Sequence, residues 1–390
     1  MHHSKWLVLI AVSIILAACK TAPIKRPVAT SVPPATIATP APLFTPSTWE
    51  MLPDWSTMDL SPSWAAMLQS CRVLKSKPRW LDICNSAEQI DKNDSEAQRK
   101  FYEERLVPFQ VFNPDGSDNG VITGYYEPLL HGSRFKTLRY RYPLYAAPDD
   151  MLDIDLSDAY PQLKGMRLRG RLQGKKVVPY YKRAEIDLGT ESLKGRELFW
   201  VDNAVELFFL QIQGSGRIEL PDGTQVKVGY AEQNGYPYVS IGRKLIEMGE
   251  MKLENASMQG IKAWGEKNPD KLTTLLEMNP SYVFFRELPE NLSAPLGALG
   301  VPLTNEYSIA VDPKSIPLGA PVFLATTQPN TTIPLNRLML AQDTGGAIRG
   351  PVRADFFWGF GEKAASQAGR MKQQGRMWVL FPKGDEPVQY

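Results

Sequence analysis

Three aspartates stand in the C-terminal third of the chain where apolar runs give way to turn residues. They are Asp312 in AVDPKSIPLG, Asp343 in AQDTGG and Asp355 in RADFFWGFG. Taken singly, each reads as a turn former, because Asp and Gly tolerate unusual backbone angles. Three such junctions in one β-rich stretch point to carboxyl groups converging on a cleft. Asp355 has the most informative surroundings. In an extended 355–359 segment Asp355, Phe357 and Gly359 share one face, and Phe356 and Trp358 take the other. Aromatic neighbours exclude water and disfavour the charged carboxylate, and further carboxylates nearby push the same way. A carboxyl kept neutral near neutral pH can serve as a general acid. Arg349 and Arg353 oppose that shift if either pairs with Asp355 directly. Glycines at 345, 346, 350, 359 and 361 would let a bulky substrate approach the backbone, or else simply make tight turns.

Two other stretches carry polar groups beside glycine: TGYYEP (Thr123 to Pro128) and QGSG (Gln213 to Gly216). Sugars present flat CH faces and hydroxyl edges, which suits Thr123, Tyr125 and Gln213 as binding residues. An edge strand with ordinary core tyrosines is the competing reading. Histidine removes many reaction classes. Of the three histidines, His2 and His3 lie in a leader, so a Ser-His-Asp triad, a Cys-His pair or a zinc hydrolase site would each have to use His131. No metal and no cofactor is expected. Asp-Thr-Gly at 343–345 is also an aspartic-protease motif, but it occurs once and a dyad needs two. A net charge of +2 without a dense Lys/Arg run argues against a nucleic-acid binder.

The elements that must position these residues follow from pattern. With 390 residues, 43% of them hydrophobic, the chain can bury a sizeable core in about two or three domains. The expected class is mainly β with several helices. SPSWAAMLQSC reads as a helix with Ser61 as cap and Pro62 in its first turn, and SEAQRKFYEERL as another. NGVITGYYEPLL reads as a strand. From about 129 to 230, KKVVPYY, ELFFLQIQ and TQVKVGYA read as strands of a small β unit, with a turn at PDGT. Three short helices follow, capped by Ser240, Ser257 and Asp270. After Pro280 the strands SYVFFRE, YSIAVDP, APVFLAT, RLMLAQDTG and RMWVLFP form a C-terminal β-rich unit.

The N-terminus is an address. Lys5, an apolar run from Trp6 to Ala18, and Leu-Ala-Ala before Cys19 make a signal peptide (1–18) ending in a lipidation motif. Several acyl chains on Cys19 would anchor the protein stably. Lys20 rather than Asp follows the cysteine, which favours the outer membrane of a Gram-negative cell, facing the periplasm. The Pro/Ala/Thr-rich stretch up to residue 50 reads as a polyproline-like tether rising roughly 3 Å per residue. Such reach suits a cell-wall polymer. In that oxidising compartment Cys71 and Cys84 form either a local disulfide or two buried thiols.

AVDPKSIPLGAPVFL, AQDTGGAIRGPVRADFFWGFGEKAASQAGRM and TGYYEP together resemble the membrane-bound lytic murein transglycosylase A family, from about Trp55 to Leu380. The resemblance implies a double-psi β-barrel catalytic domain split between residues 51–128 and 265–390, with a smaller β-domain, 129–264, inserted and lining a substrate groove. It places the catalytic acid/base on Asp355 and the supporting signature positions on Asp343 and Asp312. The implied reaction is cleavage of the β-1,4 bond between N-acetylmuramic acid and N-acetylglucosamine, leaving a 1,6-anhydromuramic end. Peptidoglycan glycan strands are the implied partner of a monomer, with cell-wall synthesis or division proteins as further candidates. Two alternatives stand beside it: a glycosidase that hydrolyses with Asp343 as base, and a non-catalytic cell-wall-binding lipoprotein.

Overall fold

The computed structural model describes residues 43–385 and 387. The expectations for the signal peptide, Cys19 and most of the tether lie outside them. Eight strands form the principal sheet: β1 (Phe44–Pro46), β2 (Leu106–Val111), β3 (Gly120–Glu127), β13 (Ser308–Val311), β14 (Pro321–Thr327), β15 (Pro334–Asp343), β16 (Ala354–Phe360) and β17 (Lys372–Pro382). Their order is β1-β2-β17-β14-β15-β13-β16-β3. β3 also pairs with β17, Lys372 opposite Thr123, so six of these strands close into a ring.

The sequence pattern follows from what covers each strand. All six ring strands contribute to one shared core, including Ile122, Ile309, Val322, Met339, Phe356, Trp358 and Val379. The opposite faces of β14, β15 and β17 bury Phe323, Leu338, Leu340, Trp378 and Leu380 against Trp64, Phe101 and Tyr102. Trp64 comes from α1 (Ser61–Leu74) and Phe101 and Tyr102 from α3 (Ser95–Arg105); between them α2 (Pro78–Ala87) adds Trp80 and Ile83, and all three helices precede the ring. Buried on both sides, these strands appear as near-continuous apolar runs. Cys71 of α1 and Cys84 of α2 are disulfide-bonded, with Cα atoms 5.3 Å apart.

The chain passes from β3 almost directly into a second sheet: β4 (Leu129–Ser133), β5 (Tyr142–Tyr145), β9 (Glu197–Val201), β10 (Ser215–Glu219), β11 (Gln225–Gln233) and β12 (Val283–Glu287). Its order is β12-β11-β10-β4-β9-β5. A small third sheet joins β6 (Leu152–Asp153), β7 (Arg169–Gln173) and β8 (Lys176–Pro179). The remaining α-helices are α4 (Arg183–Asp187), α5 (Ala204–Gln213), α6 (Ile241–Glu247), α7 (Met258–Lys267), α8 (Pro269–Glu277) and α9 (Glu362–Arg370), which packs on β3 and β16.

Four expectations are corrected here. ELFFLQIQ, read as a strand, lies in helix α5. Asn203 caps it by accepting from the N–H groups of Val205 and Glu206, and Gly214 ends it in the left-handed conformation. The strand at 283–287, assigned to the C-terminal unit, pairs with β11 and belongs to the second sheet. Two caps are displaced: Leu60, not Ser61, precedes α1, and Asn268, not Asp270, precedes α8. Ser240 and Ser257 do cap α6 and α7, accepting from Arg243 N and Gly260 N.

Candidate active site

The ring sets the strands of two aspartates on either side of β13. Ala310 on β13 pairs with Asp343 on one side and Asp355 on the other, and Asp355 pairs in turn with Thr123 on β3. An irregularity in the β13–β15 register sets Asp343 into this row, because Ile309 pairs with Ala341 and Ala310 with Asp343. The skipped residue, Gln342, is fully buried and bonds Ala66 O at 2.8 Å and Ser70 Oγ at 3.0 Å on α1. The bulge re-aims one side chain into the helices and its neighbour into the site.

β16 alternates as its sequence requires. Phe356 and Trp358 enter the ring core with ring centroids 4.5 Å apart. Asp355 and Phe357 face the other way, and Phe357 packs against Tyr125 with ring centroids 5.0 Å apart. Gly359 carries a φ of 98° at the irregularity between Phe357 and Phe360. A Cβ there would also lie 2.5 Å from the Asn305 side chain, so only glycine fits both demands.

Asp355 is half-buried. Its Oδ1 accepts from Thr123 Oγ1 at 2.7 Å. Loss of water around the carboxyl pushes its pKa up to about 6, with the Asp343 charge helping and the Thr123 bond and Arg353 charge opposing. Asp343 is more fully engaged. Its Oδ1 accepts from the N–H groups of Ala298 and Thr344, each at 2.9 Å, and its Oδ2 from Tyr125 OH at 3.0 Å. Burial still raises its pKa above the ordinary carboxylate value despite those three donors. Burial and the adjoining Asp343 charge push the Tyr125 phenol well above its usual pKa, so it stays a neutral donor.

Asp312 is buried, and its carboxyl accepts from Lys314 N at 3.2 Å and Gly350 N at 2.9 Å. It pins the end of β13 to the loop that leads into β16. Of the residues expected to bind substrate, Thr123 and Tyr125 bond the two aspartates, whereas Gln213 Oε1 accepts from Tyr126 N at 3.1 Å and ties α5 to β3. Arg349 bonds Ile348 O. Arg353 reaches Thr123 Oγ1 at 2.9 Å and Val121 O at 3.1 Å. His131 sits on β4, its Nδ1 3.4 Å from Glu219. The backbone N–H of Ala298, a donor to Asp343, carried no signal in the sequence, since any non-proline residue supplies one. Two surface cavities, one beside Trp358 and Lys363 and one beside Pro62 and Tyr307, are lined by none of the three aspartates. No group of three or more metal-ligating side chains occurs among the described residues.

The ring of strands thus carries a half-buried carboxyl with a raised pKa, Asp355, on one side of β13 and a second, fully hydrogen-bonded carboxyl, Asp343, on the other. Two family models match the chain, the MltA specific insert domain over residues 121–286 and the 3D domain over 307–381. The membrane-bound lytic murein transglycosylase A of Escherichia coli K12 is 34% identical over 279 residues, covering 70% of this chain and 68% of the relative. The chain therefore belongs to the membrane-bound lytic murein transglycosylase A family. Among solved structures, MltA from Neisseria gonorrhoeae aligns with a TM-score of 0.78 and 40% identity, covering 89% of this chain and 94% of that one. Escherichia coli MltA with bound chitohexaose aligns with a TM-score of 0.66 and 27% identity, over 87% and 94% of the two chains.

Proposed function

We propose that this protein is a peptidoglycan lytic transglycosylase that cuts the β-1,4 bond between N-acetylmuramic acid and N-acetylglucosamine with Asp355 as its single acid/base. The observation that carries the reading is the Asp355 carboxyl itself, water-depleted, with a pKa raised to about 6, yet still reachable from solvent. Family membership supports the reaction class, and the chitohexaose held by the Escherichia coli relative supports an N-acetylhexosamine strand as ligand.

In this mechanism Asp355 gives its proton to the glycosidic oxygen as the bond to the muramic C1 breaks. The carboxylate so formed takes the proton of the muramic C6 hydroxyl as O6 closes on C1. The products are a free 4-hydroxyl on one strand end and a 1,6-anhydro ring on the other. The nucleophile is tethered to its target, so proximity supplies much of the rate and no activated water is needed. Hydrolysis with Asp343 as base is disfavoured, because both its oxygens already accept hydrogen bonds from Ala298, Thr344 and Tyr125. Asp343 acts instead through its charge, which strengthens the hold of Asp355 on its proton.

The ring is read as a double-psi β-barrel, and residues 129–287, through β12, as an inserted domain flanking the glycan. The protein is further read as an outer-membrane lipoprotein, held by acyl chains on Cys19. Mass spectrometry of muropeptides from purified sacculi tests the chemistry. Products one water lighter than hydrolysis products, with no reducible muramic end, support it; reducible ends would point to the hydrolase. Palmitate labelling lost on Cys19→Ser tests the anchor.

A further inference from the structure

We propose that Arg353 is a positioning residue that acts through Thr123 to fix Oδ2 of Asp355 as the oxygen carrying the transferable proton. The inference rests on the reading of Asp355 as acid/base. A guanidinium offers only donors, so the Arg353 Nη2 contact of 2.9 Å requires Thr123 Oγ1 to accept. The hydroxyl keeps a second lone pair, but its single proton must point away from Arg353, and Asp355 Oδ1 at 2.7 Å is the acceptor that the described residues offer it. With Oδ1 committed as an acceptor, the proton of the neutral acid resides on Oδ2. Were Thr123 free to turn, it could accept from a protonated Oδ1, and the proton would be directed at a side chain instead of the substrate.

Arg353 is built to hold that orientation. Its Nη1 donates to Val121 O on β3 and to Ala354 O on β16, so the guanidinium bridges the two strands that carry Thr123 and Asp355. Its cation also opposes the desolvation that raises the Asp355 pKa. The same chain serves the second half of the reaction. Once Asp355 is a carboxylate, Thr123 still donates to Oδ1, and Oδ2 stays the free base for the C6 hydroxyl.

The test is a mutant cycle read by pH–rate profiles. Thr123→Val and Arg353→Gln should each lower kcat by about tenfold or more with KM within about twofold. Thr123→Ser, which keeps the hydroxyl, should retain most of kcat. Arg353→Gln should also move the high-pH fall of the profile upward by roughly half a unit to one unit, because a cation beside the acid is gone. On a Thr123→Val background Arg353→Gln should cost little more in kcat, since its orienting effect passes through that hydroxyl. A full, additive loss on that background, or an unmoved pH profile, would overturn the proposal. If thermal unfolding shows that Arg353→Gln fails to fold, Arg353→Lys goes through the same cycle: a kcat loss on the native background that vanishes on Thr123→Val supports the relay, and an additive or absent loss sinks it. Asp355→Asn separates the two readings. Activity in that variant overturns the acid/base assignment, whereas an inactive Asp355→Asn with an additive cycle overturns only the role of Arg353.

Discussion

The ring has a covered side and an open side. On β14, β15 and β17 the residues facing away from the shared core, such as Phe323, Leu338 and Trp378, are sealed beneath α1, α2 and α3. On β3, β13 and β16 the corresponding faces carry Thr123, Tyr125, Ala310, Asp355 and Phe357. The covered side excludes water by layering helices on strands. The open side does so locally, with Tyr125 and Phe357 buried against Leu303 and Ile348 and with a neighbouring carboxyl, leaving Asp355 desolvated but half-exposed. Catalysis needs that second solution, because a proton donor must be both short of water and within reach.

If the contrast holds, Asp355→Asn should cut transglycosylase turnover by about a thousandfold or more without unfolding the chain, as release of anhydro-muropeptides would show. Trp378→Ala, on the covered side, should do the converse. It should cost about 3–5 kcal/mol in denaturant unfolding and leave activity per folded molecule near normal. A large turnover loss there would erase the distinction between the sides.

The raised pKa of Asp355 links function to stability. The folded protein binds this proton more tightly than the unfolded chain does, so a stability cost develops as pH rises from the ordinary value of 3.8 to about 6 and persists above it. At about 1.4 kcal/mol per pKa unit the ceiling is about 3 kcal/mol, lowered by the partial exposure of the group. Asp355→Asn should therefore unfold later than the native chain at pH 7.5 and no later at pH 3.5. Turnover of the native enzyme should fall about tenfold per pH unit above about 6, where the acid form is depleted. The smallest effect is expected from Asp343→Asn, which removes a like charge and should move that fall to lower pH; an upward move would contradict the assigned role.

Much of the open side was legible beforehand. The period-2 alternation of DFFWG separates Asp355 and Phe357 from Phe356 and Trp358 because a strand has only two faces. The caps at Ser240 and Ser257 were readable because capping is local. What escaped was long-range. ELFFLQIQ carries β-branched and aromatic residues that suit either state, and Asn203 and Gly214, just outside it, decide for the helix. β12 resembles its sequence neighbours, but pairing with β11 is set by tertiary contacts. Arg353 was visible as a charge, yet its grip on Thr123 depends on β3 and β16 lying parallel across more than two hundred residues of chain.

The passage from β3 into β4 has a mechanical consequence. Glu127, almost fully buried, pairs with Arg217 of β10 at 2.9 Å, and that guanidinium lies 3.8 Å above the Phe360 ring at the end of β16. Prising the two sheets apart at this seam would strand a buried charge, at a cost of about 3–5 kcal/mol. This one guanidinium therefore acts as a rivet through β3, β10 and β16, resisting any splaying of the two sheets where the chain crosses between them.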